Sequence, residues 1–380
     1  NRIAPGFLAH ALGSFPSGLI VVSGSSGKST TTKMLVAVLA AHGWNVFTNP
    51  STANIAQGLT SALLERVSLY GRVDAQIAVL EVDEGHGALI APTIAPRVAV
   101  LTNVMVDQID RFQESEQVVR MLARIAERAT DAVVSNADDA MLRSLASELR
   151  PEVKLIEYGV SDTVLAASPR GLGYTSQSAD RLASGTIVRT SAGRTATLEH
   201  HGALGEVRLP AKGVHYAVDV AAAIAAAAVI LGDDFDLELA LDSVGAMPPV
   251  FARGQISEVR GEPVEFILVQ NPASFQLNVD ELDPTLEQLF MAVGSDVRDP
   301  SYLWPVDLSG MPAVGMVSGS KAQELARQLA YQGVPVDTVE PALTTALDRF
   351  FDLPAPANGI KTVIFTADSM RRTRTHLGMT

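Results

Sequence analysis

The feature that most constrains the fold of this 380-residue chain is a short glycine-rich loop between two apolar segments. Residues 19–23 form a short β-branched run typical of a buried strand, and residues 30–42 carry apolar side chains at helical spacing. Apolar runs at 75–82, 97–103 and 132–135 follow, with a helical pattern over 116–129 before the last of them. Such alternation is typical of a parallel sheet covered by helices on both faces. The sequence therefore predicts an α/β fold.

The rest of the chain predicts an extension of this sheet and then a second, smaller α/β domain. Residues 154–209 are rich in Ser, Thr and Gly in short alternating segments, which favours antiparallel strands at an edge. An alanine-rich helix is expected over 214–231, and the segment 245–254 has the composition of an interdomain hinge. We therefore expect domains at 1–246 and 247–380. Strands of the second domain are predicted at 264–270, 288–293, 313–317 and 362–365.

Composition excludes several classes of function. The chain has no cysteine, which excludes disulfides, thiolate zinc sites and a cysteine nucleophile. Its net charge of -13 disfavours nucleic-acid binding. The longest apolar stretch, residues 218–231, is too short to span a bilayer, and no signal peptide is visible. We therefore expect a cytoplasmic protein that is not integral to the membrane.

The loop Gly24-Ser25-Ser26-Gly27-Lys28-Ser29-Thr30 has the chemistry of a phosphate-binding loop. Glycines allow consecutive N–H groups to converge on an anion, the following helix adds its positive dipole end, and Lys28 supplies a charge for the outer phosphates. Ser29 is placed to bind Mg²⁺ through its hydroxyl. The loop has two residues between its glycines where the Walker pattern has four. The alternative is an ordinary glycine turn with an exposed lysine.

Polar residues follow two further predicted strands. Glu81 ends one of them, and Asn103 and Asp107 follow the next. Ligands of open α/β sheets lie outside the carboxyl ends of the strands, and Mg²⁺ needs one or two carboxylates besides phosphate and water. Glu81 is therefore the predicted magnesium ligand. The alternative is that these residues belong to solvated turns and helix caps.

Together these segments resemble the Mur ligase superfamily. Residues 24–31 are similar to its Gly-Thr-x-Gly-Lys-Thr loop, residues 49–58 to its asparagine-bearing substrate loop, and residues 136–139 to its Asn-x-Asp-Asp turn. Within the superfamily, four segments resemble the MurT subfamily of synthetase subunits, and the resemblance covers nearly the whole chain. These segments are 81–84, 107–112, 271–275 and 296–304. The last contains two aspartates, Asp296 and Asp299, together with two aromatic residues.

The resemblance implies a P-loop domain with a parallel sheet and an antiparallel extension, followed by a smaller α/β domain. It also implies an ATP-dependent carbon–nitrogen ligase that amidates the D-glutamate α-carboxylate of the lipid II stem peptide. The carboxylate would be activated as an acyl phosphate, and a GatD-type glutamine amidotransferase subunit would supply the ammonia. The action is then expected at the inner face of the plasma membrane, with ATP and Mg²⁺ as cofactors.

Roles for single residues follow from the same resemblance. Lys28 and Glu81 are expected to be catalytic, together with Asp296 or Asp299, one of which would serve the partner. The residues expected to hold the nucleotide are Gly24, Ser25, Ser26, Gly27, Lys28, Ser29, Thr30, Asn103, Asp219 and Arg253. Asn54, Asp107 and Asn271 are the expected substrate contacts, and Ser29 and Glu81 the expected Mg²⁺ ligands.

Several departures predict a divergent member of the subfamily. The chain lacks the four-cysteine zinc ribbon of many MurT proteins. Pro305 stands where the subfamily has an aspartate, Tyr216 and Asp219 replace two asparagines, and Gln270 replaces a lysine. Two other functions stay open. One is a single-chain Mur or folylpolyglutamate-type ligase that joins an amino acid instead of ammonia, and the other is a nucleotide-binding scaffold without catalysis.

Overall fold

The computed structural model describes residues 6–50, 54–105, 115–168, 170–180, 182–248, 253–298 and 303–379. Within these ranges the chain forms two compact units. The first contains residues 6–105 and 115–247, and the second begins at Pro248. Each unit has its own sheet and its own hydrophobic core.

The first unit is built on a nine-stranded sheet with the order β2-β3-β1-β4-β5-β6-β7-β8-β9. Its strands are β1 (Leu19–Ser23), β2 (Val46–Thr48), β3 (Ile77–Glu81), β4 (Val98–Leu101), β5 (Ala132–Asn136), β6 (Lys154–Val160), β7 (Thr186–Ala192), β8 (Thr195–His200) and β9 (Ala203–Arg208). The strands from β2 to β7 pair in parallel, and β7, β8 and β9 pair antiparallel. The predicted fold class, a parallel sheet with an antiparallel extension, is confirmed.

Helices cover this sheet. They are α1 (Phe7–Leu12), α2 (Lys28–Ala41), α3 (Ala56–Arg66), α4 (Glu84–Ile90), α5 (Ser115–Ala126), α6 (Ala140–Arg143), α7 (Asp162–Ala166), α8 (Val214–Leu231) and α9 (Leu237–Gly245). Helix α8 is alanine-rich, and its small side chains allow close packing against α2 and the sheet. Among the described helices, the segment Val214–Asp234 is long and apolar enough to cross a membrane, but 78% of its apolar 18-residue window is buried inside the protein. It is therefore the core helix of this unit.

The prediction that the region from residue 154 is antiparallel was wrong for its first strand. β6 pairs in parallel with both β5 and β7. Its amino-terminal half is exposed and its carboxyl-terminal half is buried. Alternating polarity reports which face of a strand is exposed and carries no information on strand direction, so the sequence pattern could not separate the two arrangements.

The second unit contains a six-stranded sheet with the order β10-β11-β15-β12-β13-β14. Its strands are β10 (Arg253–Val259), β11 (Glu262–Leu268), β12 (Leu289–Ala292), β13 (Val314–Ser318), β14 (Val336–Glu340) and β15 (Lys361–Phe365). Its helices are α10 (Pro272–Asp280), α11 (Ala322–Tyr331), α12 (Leu343–Phe351) and α13 (Ala367–Leu377). Only β10 pairs antiparallel among the described strands of this sheet. Strands β10 and β14 were not predicted, because each lies at an edge and β14 is only half-buried.

A buried lysine connects two elements of the second unit. Lys361 is 1% exposed at the start of β15. Its ammonium group donates hydrogen bonds to the carbonyls of Leu353 (2.6 Å) and Phe351 (3.3 Å) and forms an ion pair with Glu262 (2.7 Å). The carbonyls at the end of a helix lack partners within that helix, so a cation there satisfies groups that α12 leaves unbonded.

We expect Lys361→Ala to lower the free energy of unfolding by about 3 kcal/mol, since it leaves the carbonyls and Glu262 without their shared cation. Urea unfolding followed by circular dichroism measures this change. Lys154→Ala is the matched control, because the Lys154 side chain is 73% exposed in its ion pair with Asp131. Equal midpoints for the two variants would contradict the structural role of Lys361.

Candidate functional site

The predicted phosphate loop lies between β1 and α2, at the carboxyl edge of the parallel sheet. Gly24 and Gly27 have φ angles of 137° and 82°, a region that favours glycine. Neither position has room for a side chain: a Cβ atom would lie 2.2 Å from the Thr102 hydroxyl at Gly24 and 2.3 Å from the Asp219 carboxylate at Gly27. Both glycines are therefore required by geometry and by contact.

The end of β4 holds the loop in place. The Asn103 carboxamide accepts a hydrogen bond from the Ser26 N–H (2.9 Å) and donates one to the Ser26 carbonyl (3.2 Å). The Thr102 hydroxyl donates to the same carbonyl (2.7 Å), and the Ser25 N–H donates to the Asn103 carbonyl (2.9 Å). The Ser25 hydroxyl accepts from the Met105 N–H (3.1 Å). Asn103, which the sequence predicts to contact the nucleotide, supports the backbone of the predicted phosphate loop in the structure.

Lys28 is the first residue of α2, and its ammonium group turns back over the loop. It donates hydrogen bonds to the carbonyls of Gly24 and Ser25, the latter at 3.3 Å. It also forms an ion pair with the Glu84 carboxylate at 3.2 Å. The two side chains of this pair are only 14% and 7% exposed, so water screens the interaction weakly. The predicted lysine therefore has an acidic partner at the first residue of α4.

Three acidic residues follow one another closely at the end of β3. Glu81 is 4% exposed, and its backbone pairs with the Asn49 carboxamide through two hydrogen bonds of 2.9 and 3.0 Å. Asp83 caps α4 by accepting from the N–H groups of Gly85 and His86. Strand register places Glu81 beside Val22, the second residue before Gly24 of the loop. The sheet thus brings the predicted loop and the predicted metal-binding carboxylate to one edge.

The residues at this edge fit a magnesium ion bound together with phosphate. Ser29 lies partly exposed at the amino terminus of α2, and Glu81 lies at the neighbouring strand end. Among the described residues no group of three or more His, Asp or Glu side chains forms a ready metal site. Mg²⁺ binds through one or two protein ligands and completes its shell with phosphate and water, so the pair Ser29 and Glu81 suits it.

Other predicted residues of the first unit lie near the loop in different roles. The Asp219 carboxylate in α8 accepts a hydrogen bond from the Thr31 hydroxyl (3.2 Å) and packs against Gly27. It is 6% exposed, so it lies behind the loop. Thr30 is also buried. The Asn54 carbonyl accepts from the Asp83 N–H (3.0 Å), which places this predicted substrate residue beside the acidic segment.

The described residues among those predicted in the second unit lie at the carboxyl edge of its own sheet. The Asp296 carboxylate accepts from the Thr366 hydroxyl (2.8 Å) and the Ala367 N–H (2.9 Å). Asn271 is 1% exposed and caps α10, accepting from the Ser274 N–H (2.7 Å). The Arg253 main chain begins β10. Asp107, Asp299 and the Arg253 side chain lie outside the described residues.

A buried aspartate, which received no role from the sequence, positions the segment after β4. The Asp139 carboxylate accepts from the Val104 N–H (2.6 Å) and also caps α6 through Met141 (2.9 Å) and Leu142 (3.4 Å). Burial raises the pKa of Asp139 from 3.8 to about 6, although these three N–H groups act in the opposite direction. Directly after Thr102 and Asn103, which support the loop, the backbone at Val104 is therefore held by a titratable carboxyl group, that of Asp139.

Two of the structurally important residues had a signal in the sequence. Glu84 belongs to the quoted Glu-Val-Asp-Glu segment, and Asp139 belongs to the Asn-x-Asp-Asp turn. Their partners, Lys28 and Val104, lie 56 and 35 residues away, so only the fold pairs them. Thr102, by contrast, is an ordinary strand residue in sequence and had no signal.

We expect Asp139 to contribute a loss of folding stability as pH rises from about 4 to about 6, because this residue keeps its proton in the folded state across a range in which it has lost it in the unfolded chain. At this residue the folded state binds more protons, so its contribution to the free energy of unfolding decreases with pH by about 3 kcal/mol. Asp139→Asn should remove that component. Urea unfolding midpoints of the parent and the variant, measured from pH 4 to 7, give the difference in stability between them at each pH. A constant difference would contradict the assignment.

Gly27→Ala should weaken the binding of Mg-ADP at least tenfold, which corresponds to about 1.4 kcal/mol, because the new methyl group meets Asp219 and displaces the loop. Gly43→Ala is the matched control, since Gly43 has the same φ of 82° but no atom within 4 Å of the added Cβ. Titration with a fluorescent ADP measures the affinities of both variants. Equal affinities of the two variants would show that the contact with Asp219 has no effect.

Comparison with known proteins agrees with this geometry. The profile of the Mur ligase middle domain matches residues 22–227, more than half of the chain. The chain is 25% identical over 354 residues to the lipid II isoglutaminyl synthase (glutamine-hydrolyzing) subunit MurT of Streptococcus pneumoniae, covering 84% of this chain and 78% of that protein.

Two solved structures share the fold. The MurF structure from Acinetobacter baumannii superposes with a TM-score of 0.73 at 18% identity, covering 99% of this chain and 80% of that one. The MurF ligase of Thermotoga maritima in complex with ADP superposes with a TM-score of 0.69 at 18% identity, covering 100% of this chain and 83% of that one. From the matched domain, the loop with its supporting strands and the shared fold, it follows that this chain belongs to the Mur ligase family.

Proposed function

We propose that this chain is the ATP-dependent synthetase subunit of an enzyme that amidates the D-glutamate α-carboxylate of the lipid II stem peptide. The observation that carries the proposal is the loop of residues 24–29, supported by Asn103, with Lys28 and the acidic residues at and just after the end of β3 at the same sheet edge. Family membership supports an ATP-dependent ligase related to peptidoglycan synthesis. The similarity to a MurT subunit supports the finer assignment.

The chemistry follows from the weakness of a carboxylate as an electrophile. A carboxylate oxygen of the substrate attacks the γ-phosphorus of ATP, and ADP leaves. Ammonia then attacks the acyl carbon, phosphate leaves, and the nitrogen loses a proton, so the product is the amide. Water competes with ammonia at the second step, so the reacting groups need a site that excludes water.

Each proposed residue has a limited task in this scheme. The loop N–H groups and Lys28 bind the phosphates, and Arg253 adds positive charge during transfer. Mg²⁺, when bound by Ser29 and Glu81, supplies a Lewis acid that neutralises charge on the phosphate oxygens. Asn54, Asp107 and Asn271 are proposed substrate contacts. The Asn271 side-chain oxygen caps α10, so its substrate contact would come through its amide N–H groups.

The partner is proposed to be a GatD-type glutaminase that hydrolyses glutamine and delivers ammonia. The MurT relative is described as a subunit of a glutamine-hydrolyzing synthase, which supports a second chain. Asp296 or Asp299 is proposed to serve that partner by orienting its catalytic histidine. Asp296 is held by Thr366 and Ala367, so its carboxylate has a defined direction. The reaction is proposed to take place at the cytoplasmic face of the membrane, where lipid II is accessible.

The test is mass spectrometry of lipid II incubated with ATP, glutamine, Mg²⁺, this chain and its glutaminase. We expect the mass to fall by about one dalton as acid becomes amide, and we expect ammonium chloride to replace the glutaminase. Lys28→Ala should abolish the product, whereas Lys154→Ala, an exposed surface control, should not. The expected loss of product in Lys28→Ala follows from the loss of the proposed phosphate-binding charge.

Other outcomes identify the alternatives. Ligation of an amino acid without any glutaminase would indicate a single-chain Mur or folylpolyglutamate-type ligase. Binding of ATP without turnover in the complete mixture would indicate a scaffold. Full activity of the Lys28→Ala variant would contradict the role of the loop.

A further inference from the structure

The acidic segment after β3 places more negative charge beside the loop than a magnesium ligand alone requires. Glu81, Asp83 and Glu84 are 4%, 9% and 6% exposed. Asp83 is bonded to the N–H groups of α4 and to the His86 ring (3.3 Å). Glu84 instead points its carboxylate at Lys28, the residue expected to hold phosphate. The carboxylates of Asp83 and Glu84 therefore have different partners.

We propose that Glu84 makes nucleotide binding at this loop depend on a divalent cation, because its carboxylate shares the Lys28 ammonium with the incoming phosphate. The inference rests on the proposed nucleotide site and adds a residue that determines which form of the nucleotide binds. Glu84 acts here as a positioning residue for Lys28 and as a fixed negative charge.

The ammonium group of lysine has three hydrogens, and the described residues place the following acceptors around that of Lys28. They are the carbonyls of Gly24 and Ser25 and the Glu84 carboxylate. A phosphate oxygen that binds Lys28 must replace one of them or approach beside it. In either arrangement the phosphate lies within a few ångströms of the carboxylate of Glu84.

The charge of Glu84 cannot move far away when phosphate arrives. Glu84 is the first residue of α4, its backbone position follows the Asp83 cap, and its side chain is 7% exposed. Repulsion between this carboxylate and a triphosphate is weakly screened in a buried site. A divalent cation on the phosphates offsets that repulsion, whereas a metal-free nucleotide meets it in full. The Glu84 charge thus penalises the metal-free nucleotide selectively.

The test compares the affinity for a fluorescent ADP in excess Mg²⁺ and in excess EDTA at constant ionic strength. The quantity of interest is the ratio of the two dissociation constants, EDTA over Mg²⁺. Glu84→Gln keeps the size of the side chain and an oxygen acceptor for Lys28 but removes the charge. We expect it to lower the ratio at least tenfold, chiefly through tighter binding in EDTA.

Three further variants separate the possible causes. Glu84→Asp keeps the charge and should keep the ratio within about twofold of the parent, on the same electrostatic ground. Glu206→Gln makes the same change of charge in β9, six strands from β1 in the sheet, and should leave the ratio unchanged. Glu81→Gln, which alters the proposed magnesium ligand, should weaken binding in Mg²⁺.

The results distinguish this inference from the proposed function. If the parent binds Mg-ADP and Glu84→Gln leaves the ratio unchanged, or weakens both affinities equally, the role of Glu84 is overturned while the nucleotide site stands. If the parent binds the fluorescent ADP in neither condition, the proposed nucleotide site fails and the inference fails with it. Circular dichroism of each variant establishes that the fold is kept.

Discussion

The hydrogen bonds between the end of β4 and the loop of residues 24–29 are the constraint on which the rest of the site depends. A glycine-rich segment has many accessible conformations, and fixing it costs more backbone entropy than fixing other residues. Asn103 and Thr102 offset that cost by binding the loop backbone at Ser26, so contacts within the protein hold the loop in one conformation. Asp139 extends this support by holding Val104. A preorganised loop loses little further entropy when it binds an anion.

Charge is the second organising constraint. The loop offers positive potential from its N–H groups, the α2 dipole and Lys28, while the neighbouring strand ends in buried carboxylates. Such a site has low affinity for a bare polyphosphate and higher affinity for one that carries a cation. The same ion pair that positions Lys28 accounts for an acidic residue beside the proposed anion site. The contacts that position Lys28 therefore also bear on the proposed selectivity for the cation-bound ligand.

Much of the architecture could be predicted from the sequence, because short apolar strands, helical periodicity and glycine turns are local signals. The loop, strands β1, β3, β4 and β5 and the alanine-rich α8 follow from such patterns. The edge strands β10 and β14 could not be predicted in this way, because half-exposed strands lack a continuous apolar run. The direction of β6 also could not be predicted. Their positions at the ends of predicted strands located Glu81 and Asn103, but the local pattern gave no reason for Asn103 to bond to Ser26 instead of to a ligand.

The sequence by itself determined that this chain has a strand–loop–helix unit with a lysine and a hydroxyl at the helix start, and that an acidic segment follows a buried strand. These are properties of contiguous residues, and periodicity and steric preference reveal them. Tertiary structure alone decided that Glu84 meets Lys28, that Asp219 fills the space behind Gly27, and that Asp139 holds Val104. Those pairs are separated by between 35 and 192 residues of chain. Their contacts arise because parallel strands bring their carboxyl ends to one edge, and no local pattern encodes which side chains then meet.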